Sequence, residues 1–593
     1  MRRILDIGIS LYKGALTLMT VALFVIVGVS VFTRYCLNSS LGWSDELSRF
    51  LFIWVTFLGA AYAYGLNEHI GLDFVVDRIR NEKTRTVIRL LSEICIGVVI
   101  FVIAWYGWDV AVSATNLSPA LDIPMTVVYG VVPLTGALMA VLNVLKILGW
   151  IGRLRALSTP RRGGRPMLWL FLGILFFFTV FGVPIVFCLG IANLVMLLVM
   201  DIPLMALPAK VIQGADSFPL LAIPFFMFVG EVMNRGGIAR RLVDFADALV
   251  GHITGGLGHV SVLSSMFFGG ICGSAVAETA AIGGLLIPPM KKQGFPGPLA
   301  AAICASAAVI GIIIPPSIPF ILFGIITSTS IAKIFLGGII PGIVVGLALM
   351  VTTYFITKKQ GIARPAPDRT FSLRRVGQTL MSAGWALSIP VIIVGGILGG
   401  VFTATEAGAV SAFVALILGL FVYREISFRD LPGIFLSTGK TTATVLYLCG
   451  MAMCTAWLLT RARVPFELAA TVQSITDSQL GVLLMTNLLL FFVGFVMDLT
   501  PAMLILAPIL LPVMQQVGVD PVYFGVIMSV NLGIGLITPP VGTVLYVATG
   551  VAGVKFEELV KSIVPFVVAE AAVLVLLIFF PQIVLFIPNL VLP

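Results

Sequence analysis

The chain has 593 residues, of which 59% are hydrophobic and only 11% are charged. A water-soluble protein of this length needs far more charge to cover its surface, so most of this chain is expected to face lipid or other apolar helices. The composition therefore excludes a cytosolic enzyme, a secreted disulfide scaffold and a disordered protein. The net charge of +9 does not indicate a nucleic-acid partner, because the basic residues lie in short gaps between apolar runs. Seven scattered cysteines and three histidines indicate neither a disulfide framework nor a haem or zinc site, and no organic cofactor is expected.

The N-terminal part of the chain contains four apolar runs, and crossing a bilayer requires about 20 residues for each. The runs cover roughly residues 14–33, 50–66, 90–112 and 126–149. Arginines follow the second and the fourth run and indicate cytoplasmic loops, which places the N-terminus in the cytoplasm. No small-residue cleavage site follows the first run, so we expect it to be retained. The sequence predicts a four-helix membrane module over residues 1–150.

An arginine-rich stretch, residues 151–166, follows this module and contains no acidic residue. Its glycines and prolines make it the clearest domain boundary in the chain, and its charge is typical of a cytoplasmic segment. We interpret it as a linker to a second membrane module, residues 167–593.

The second module contains an internal repeat with a constant offset. IGIIIPPS at 310–317 recurs as IGLITPPV at 534–541, and 534 − 310 = 224. The register holds without a gap over more than fifty residues, which excludes a chance match. The predicted copies cover approximately residues 167–357 and 391–580.

The charges at matching positions differ between the two copies. Lys291 and Lys292 in the first copy match Gln515 and Gln516 in the second. Because basic residues mark cytoplasmic ends, the copies are predicted to point in opposite directions. Inverted repeats are the architecture of secondary transporters, which bind substrate and ions near the midplane. Two parallel repeats packed for stability alone are the alternative, but they leave the charge difference unexplained.

Two kinds of segment in each copy are too interrupted to be plain spanning helices. Residues 257–290 combine a short apolar run with glycine breaks and predict a re-entrant hairpin, with residues 483–514 as its counterpart. Gly–Pro–Pro breaks follow at 311–317 and 533–541. Consecutive prolines remove backbone donors and free carbonyl oxygens. At membrane depth, such backbone persists only where it lines a cavity or binds an ion.

Together, the breaks supply the groups that a site for sodium and a carboxylate requires. Freed carbonyls, with the hydroxyl of Ser274, Thr500 or Thr538, can replace the hydration shell of a small hard cation. The positive N-terminal ends of the half-helices can face a carboxylate. A kink made for packing is the alternative, which four breaks in two pairs disfavour.

Asp498 and Glu278 are the notable acidic residues inside the apolar segments. A carboxylate in lipid is costly and is expected to face the protein interior or water. Asp498 lies at a hairpin tip, where we expect it to bind a substrate hydroxyl or an ion. Glu278 lies one turn beyond a hairpin break, where a capping or interhelical hydrogen bond is as good an interpretation as a direct ligand.

In the first module, the stretch RYCLNSSLGWSDELSRF at 34–50 contains Trp43, Asp45, Glu46 and Arg49. These residues suit an amphipathic turn at the membrane surface that faces a partner. An aromatic and charged belt at the interface is an equally good interpretation. The first module offers no ion pathway, and we interpret it as an accessory module that supports the second.

Several long motifs resemble the large membrane subunit of tripartite ATP-independent periplasmic (TRAP) transporters. They are GGLGHVSVLSSMFFGGICGSAVAETAAIG at 255–283, IIIPPSIPF at 312–320, VFTATEAGAV at 401–410 and LITPPVGT at 536–543. The stretch at 34–50 and EHIGLD at 68–73 resemble the small subunit. The whole chain thus resembles a fused small and large subunit.

The resemblance implies a sodium-coupled importer in the bacterial inner membrane that receives an organic acid from a periplasmic binding protein, without ATP. It also implies an elevator-type transporter fold, in which hairpins and broken helices move against a static scaffold. By motif, Ser274, Ser317 and Asp498 would approach the substrate, and Glu278 is a further candidate for substrate binding. The sodium ligands implied in this way are Ser274, Gly311 and Pro315 in the first copy, and Thr500, Gly535, Thr538 and Pro539 in the second.

The sequence therefore predicts an all-α, multi-pass integral membrane protein that transports an organic acid and is not an enzyme. C4-dicarboxylates, sialic acid, sugar acids and keto acids are all candidate substrates. A divalent-anion/sodium symporter without a binding protein is the alternative within this class, although it has no need of the first module. An intramembrane enzyme would need a nucleophile–base pair or a metal cluster, and the paired hairpins suit an occluded site better than the open pore of a channel.

Overall fold

The computed structural model describes residues 2–39, 41–66, 82–154, 167–216, 218–362, 371–465, 467–468, 475–476, 478–539 and 542–592. No strand forms within these ranges, where Leu117 and Pro124 make only an isolated antiparallel bridge. The all-α prediction is confirmed. The motif at 68–73 and linker residues 155–166 lie outside the described residues.

The helices of the first module match the four predicted apolar runs and extend beyond them. They are α1 (Arg2–Cys36), α2 (Gly42–Leu66), α3 (Glu82–Ser113), the short α4 (Met125–Tyr129) and α5 (Val131–Leu154). Helix α1 packs against α2, and α5 packs against both α2 and α3. The helices are longer than the apolar runs because polar turns at the ends of each run continue the helix.

The rest of the described chain forms further helices, separated by short turns. They are α6 (Met167–Val180), α7 (Ile185–Val199), α8 (Ala206–Ala215), α9 (Ala222–Arg235), α10 (Ile238–Val250), α11 (Gly256–Cys272), α12 (Ala275–Lys292), α13 (Gly297–Ala307), α14 (Ile318–Ile326), α15 (Ile331–Lys359), α16 (Leu373–Leu398), α17 (Ala404–Ile417), α18 (Leu431–Arg461), α19 (Gln479–Val496), α20 (Leu499–Gln516), α21 (Pro521–Leu536), α22 (Thr543–Ala552), α23 (Phe556–Phe579) and α24 (Gln582–Val591).

Ten helices of the described residues are long and apolar enough to cross a membrane, or eleven if one bent pair counts as a single span. Their outer faces expose large apolar side chains, including Trp105, Phe355 and Met381, which is 81% exposed. Water-soluble proteins rarely expose contiguous apolar surfaces of this kind, whereas lipid accommodates them. The prediction of a polytopic membrane protein is confirmed.

The chain forms two compact units, of which the first comprises Met1–Leu221 and Phe435–Leu468. Within it, the rings of Phe57 on α2 and Tyr447 on α18 meet edge to face at 5.8 Å. Asn193 on α7 donates a hydrogen bond to the Met451 carbonyl at 3.0 Å and accepts one from the Thr455 hydroxyl at 2.8 Å. Helix α18 thus packs with helices from the first half of the chain. The predicted division at residues 151–166 concerns chain order and stays a prediction.

The second compact unit comprises Ala222–Ile434 and Ala469–Pro593, and it displays the internal repeat. Helices α11 to α14 begin at residues 256, 275, 297 and 318, and α19 to α22 begin at 479, 499, 521 and 543. These offsets of 223 to 225 residues reproduce the offset of 224 found in the sequence. The two helices of each predicted hairpin, α11 with α12 and α19 with α20, contact each other. The opposite orientation of the copies and the re-entrant course of the hairpins stay predictions.

Candidate functional site

The tip of the first hairpin is a sharp break between α11 and α12. Helix α11 ends at Cys272, and its C-cap residue Gly273 has a φ of 63°, a backbone conformation that glycine adopts at little cost. Ser274 follows in extended conformation, and its hydroxyl accepts a hydrogen bond from the Ala277 N–H at 3.5 Å. Ser274 therefore caps α12, and the glycine–serine pair forms the break that the sequence predicts.

The first Pro-Pro break separates α13 from α14. Helix α13 continues into a 3-10 turn, Ala308–Ile312, before the chain passes through a cis peptide bond between Pro315 and Pro316. The fully buried Ser317 then begins α14. Its hydroxyl donates to the Ile312 carbonyl at 2.6 Å and accepts from the Phe320 N–H at 3.4 Å. One serine thus connects both sides of the break.

The hairpin tip and the Pro-Pro break of the first copy lie against each other. A methyl group added to Gly273 would lie 2.9 Å from the Pro316 carbonyl oxygen. A methyl group on Gly269 would lie 2.5 Å from the Cα atom of Gly311. The carboxylate of Glu278 occupies the space where Gly311 would carry a Cβ atom. The structure therefore brings the predicted site residues of this copy together, which are Ser274, Glu278, Gly311, Pro315 and Ser317.

The second copy repeats this arrangement with different side chains. Asp498 caps α20, and its carboxylate accepts hydrogen bonds from the Thr500 N–H at 3.4 Å and the Thr543 hydroxyl at 3.0 Å. Thr543 is the first residue of α22, so this bond joins the hairpin tip to the half-helix beyond the break. The structure thereby brings Asp498 and Thr500 to the second break.

Glycines also permit close backbone contact in the second copy. A methyl group on Gly535 would lie 2.7 Å from the Cα atom of Gly494, so α19, the first helix of the hairpin, and α21, the helix before the break, meet backbone to backbone. The Thr538 hydroxyl donates to the Ile534 carbonyl at 2.6 Å, within the turn that ends α21. Pro539 follows directly, whereas Pro540 and Val541 lie outside the described residues.

The two breaks adjoin within the second compact unit. Helix α12 of the first hairpin packs against α22 of the second copy, and α20 of the second hairpin packs against α14 of the first. A methyl group on Gly533 would lie 2.7 Å from the Cδ1 atom of Ile312. Each hairpin therefore contacts the half-helix of the other copy, and the broken backbone of both copies is gathered in one region.

The two acidic residues of the site differ in their hydrogen bonding. Both oxygens of Asp498 accept a hydrogen bond, whereas neither oxygen of the fully buried Glu278 has a partner in the described structure. A buried carboxylate without a hydrogen bond or counter-charge is strongly unfavourable.

The arrangement of freed carbonyls, hydroxyls and carboxylates provides only oxygen atoms as metal ligands, which hard cations prefer. The half-helix N-termini provide partial positive charge that an organic anion can face.

The four partner-facing candidates of the first module fall into two groups. Glu46 is buried and accepts a hydrogen bond from the Ala120 N–H at 2.9 Å, and Arg49 forms an ion pair with Asp216 at 3.4 Å. Both side chains therefore make contacts within the chain. Trp43 and Asp45 are exposed at the start of α2. Contact of this turn with a partner stays a prediction.

The sequence reasoning missed several buried polar residues. Glu570 on α23 is 1% exposed, and neither of its oxygens has a hydrogen-bond partner in the described structure. The Asn531 amide on α21 donates to the carbonyl and side-chain oxygens of Asn487 at 2.8 and 2.9 Å. A polar residue inside an apolar run was the available signal in each case.

Comparison with protein families places two components in this one chain. Residues 172–583 match the family described as "Tripartite ATP-independent periplasmic transporter, DctM component". Residues 23–153 match the family described as "Tripartite ATP-independent periplasmic transporters, DctQ component". The boundary between the two matches falls close to the predicted linker.

Individual relatives are permeases of the same kind. The chain is 37% identical to an isethionate TRAP transporter permease protein of Oleidesulfovibrio alaskensis, over 92% of this chain and 88% of that protein. It is 32% identical to a sialic acid TRAP transporter permease protein of Haemophilus influenzae, over 97% of each chain. It is 39% identical to a C4-dicarboxylate TRAP transporter large permease protein of Pseudomonas aeruginosa, over 65% of this chain and 89% of that protein. The chain belongs to the tripartite ATP-independent periplasmic transporters, as a multi-pass membrane permease, not an enzyme, in which the small and large components are fused.

Proposed function

We propose that this permease imports an organic acid by secondary active transport that is coupled to sodium. A soluble periplasmic binding protein delivers the acid, and the permease lies in the bacterial inner membrane with its N-terminus in the cytoplasm. The single observation that carries this proposal is that, within one compact unit, each hairpin tip contacts the broken helix of its own copy and each hairpin contacts the half-helix of the other copy.

Sodium coupling is supported by the chemistry of the donors at these breaks. Glu278 has two buried oxygens without a hydrogen-bond partner in the described structure, and Gly311 leaves the space that its carboxylate occupies. Asp498, Thr500 and Thr538 supply oxygens at the second break. Sodium is a hard monovalent cation, and oxygen atoms on a fixed backbone are suitable ligands for it. We therefore propose one sodium near each break.

An organic anion is the substrate class that fits the half-helices. Helices α14 and α22 both begin at a break, so their N-terminal N–H groups provide partial positive charge. Isethionate, sialic acid and C4-dicarboxylates, which are named for the relatives, are all organic anions. The proposed substrate contacts are the Ser274 and Ser317 hydroxyls and the Asp498 carboxylate, which can accept a substrate hydroxyl.

The proposed mechanism is alternating access of the elevator type. Sodium binding neutralises carboxylates at the breaks and completes the site, and the organic anion then binds beside the bound cations. The second compact unit contains both hairpins and both broken helices, so the moving elements are proposed to lie within it. The first compact unit contains the small component and α18, and we assign it to the static scaffold.

Uptake into liposomes with the cognate binding protein tests this function. We expect uptake of the labelled acid to require an inward sodium gradient and the binding protein. Equal uptake with potassium in place of sodium would contradict the coupling. Equal uptake without the binding protein would favour the divalent-anion/sodium symporter alternative. Asp520→Asn is a suitable control variant for the reconstitution, because Asp520 caps α21 at its far end from the break.

A further inference from the structure

Glu278 is a fully buried carboxylate, and neither of its oxygens makes a hydrogen bond in the part of the chain that the structure describes. It lies on α12, and both of its oxygens are shielded from solvent. The nearest contacts include the backbone of Gly311 in the 3-10 turn before the Pro-Pro break. The Ser265 hydroxyl on α11 is a polar neighbour, although the two groups do not reach hydrogen-bond geometry. A buried carboxyl group of this kind is stable only if a proton neutralises it or a positive charge lies beside it.

Two other acidic residues, Asp498 and Glu406, do accept hydrogen bonds from nearby donors. Asp498 accepts hydrogen bonds from Thr500 and Thr543. Glu406 accepts from the N–H and hydroxyl of Thr403 in a capping box at the start of α17. Glu278 differs from them because neither of its oxygens accepts a hydrogen bond in the described structure. The Ser264 and Ser265 hydroxyls on the facing helix are themselves buried without a partner in the described structure.

The glycines around Glu278 explain why its carboxylate reaches the broken backbone. Gly269 and Gly311 approach so closely that a methyl group on Gly269 would lie 2.5 Å from the Gly311 Cα atom. Any side chain at Gly311 would collide with the Glu278 carboxylate. The close packing therefore holds the carboxyl group of Glu278 directly beside a turn whose carbonyl groups lack the regular α-helical pattern.

We propose that Glu278 is the anionic ligand of the cation in the first copy, with the Ser265 hydroxyl as a neighbouring oxygen donor. This inference rests on the proposed sodium coupling and names the charged group of that site. An organic anion beside Glu278 would meet a like charge, so the cation lies nearest to Glu278 and separates it from the substrate. Moving an uncompensated carboxylate across the membrane is costly, so Glu278 also makes the movement depend on the bound cation.

Sodium-dependent thermal stability of the purified full chain tests this role without transport. Unfolding is followed in detergent at constant ionic strength, with sodium replaced by choline. A cation that binds only the folded protein raises the melting temperature with its concentration. For Glu278→Gln, we expect the sodium concentration for half-maximal stabilisation to rise at least tenfold. The melting temperature in choline should equal or exceed that of the unmodified protein, because the amide removes the uncompensated charge; this shows that the variant folds.

Glu570→Gln is the matched control, since Glu570 is the other buried glutamate without a hydrogen-bond partner in the described structure and lies within the unbroken helix α23. We expect it to keep the full sodium response, and Ser265→Ala to weaken the response by a smaller factor than Glu278→Gln. An unchanged response in Glu278→Gln would overturn this inference and leave sodium coupling intact. An equal loss in Glu570→Gln would also overturn it, since any buried charge would then have the same effect.

Two further outcomes distinguish a proton from sodium as the partner of Glu278, and a failure of this inference from a failure of sodium coupling. If lowering the pH in choline stabilised the unmodified protein as sodium does, and Glu278→Gln abolished that effect, a proton would be the partner of Glu278 and the inference would fail. If the unmodified protein showed no response to sodium at all, the proposed coupling itself would fail. Selective loss of the sodium response in Glu278→Gln supports the inference.

Discussion

The contact between Gly269 and Gly311 makes a quantitative prediction about the first break. In Gly269→Ala, the new methyl carbon would lie 2.5 Å from the Gly311 Cα atom, whereas carbon atoms pack at about 3.5 Å. The two backbones must therefore separate by about 1 Å. Overpacking of a core costs about 1–3 kcal/mol, and the upper value applies because neither backbone can rotate away. Alanine recovers about 1 kcal/mol of helix propensity, which leaves a net loss of about 2 kcal/mol.

Gly284→Ala is the matched control for this variant. Gly284 lies on the second helix of the same hairpin, and a methyl group there would have no atom within 4 Å. This change should stabilise the protein by up to about 1 kcal/mol, so the two variants should differ by about 3 kcal/mol. We expect Gly269→Ala to lower the melting temperature and to reduce uptake at least tenfold, because the 1 Å shift separates Glu278 from the break. Normal uptake and stability in Gly269→Ala, or an equal defect in Gly284→Ala, would refute the packing argument.

Three further predictions concern single hydrogen bonds and charges. Asp498→Asn keeps the helix cap but removes the charge, so uptake should fall at least tenfold while the melting temperature stays nearly constant. Asp520→Asn, at the cap of α21, is the control and should keep normal uptake. A similar loss of uptake in both variants would contradict a special role for Asp498. Ser317→Ala removes the hydrogen bond that spans the first break and the one that caps α14, and it should destabilise the protein by about 1–2 kcal/mol in a thermal unfolding assay. Ser317→Thr should restore most of this loss. Reversing the charge of Arg49 should cost at least the roughly 0.2–1 kcal/mol of a partly exposed ion pair, since it also sets two negative charges against each other. Exchanging both charges should recover this cost, and no recovery in the double variant would show that the pair contributes little.

Hydropathy alone predicts the helices well but misplaces some of their ends. Helix α2 begins at Gly42, although its apolar run begins near residue 50. The additional turns contain Glu46 and Arg49, whose polar groups bond to Ala120 and Asp216. These partners lie far along the chain, so the local sequence cannot indicate that a charged turn will remain helical and partly buried.

Proline pairs predict the breaks only in combination with other features. The pair Pro315-Pro316 separates α13 from α14, as predicted. A second proline pair, Pro288-Pro289, lies inside α12, which continues to Lys292. A proline near the end of a helix disturbs few hydrogen bonds, whereas a pair in the middle of the apolar segment interrupts it. The internal repeat, which places a second break at the matching position, was therefore more informative than the prolines themselves.

The candidate site could be located from the sequence, but its internal contacts could not. Glycines, prolines and the repeat identify the residues around each break. The bond from Thr543 to Asp498 joins residues 45 positions apart, and the placement of Glu278 against Gly311 depends on how α12 packs on the 3-10 turn. Interhelical packing is set by complementary shapes of whole helices, which a single sequence does not display. Consequently, the sequence is consistent with several roles for Glu278, and only the structure shows that its carboxylate oxygens make no hydrogen bond.

The packing of α18 with helices from the first half of the chain has a consequence for biosynthesis. The first compact unit needs residues from Phe435 onward, so 213 residues, from 222 to 434, must be made before it can be completed. At about 5–20 residues per second, this interval lasts roughly 10–40 s. During that time Asn193 lacks its later partners Met451 and Thr455, and the surface of α2 that receives Tyr447 stays open. The nascent permease must therefore be protected in the membrane by lipid or by the insertion machinery until α18 emerges from the ribosome.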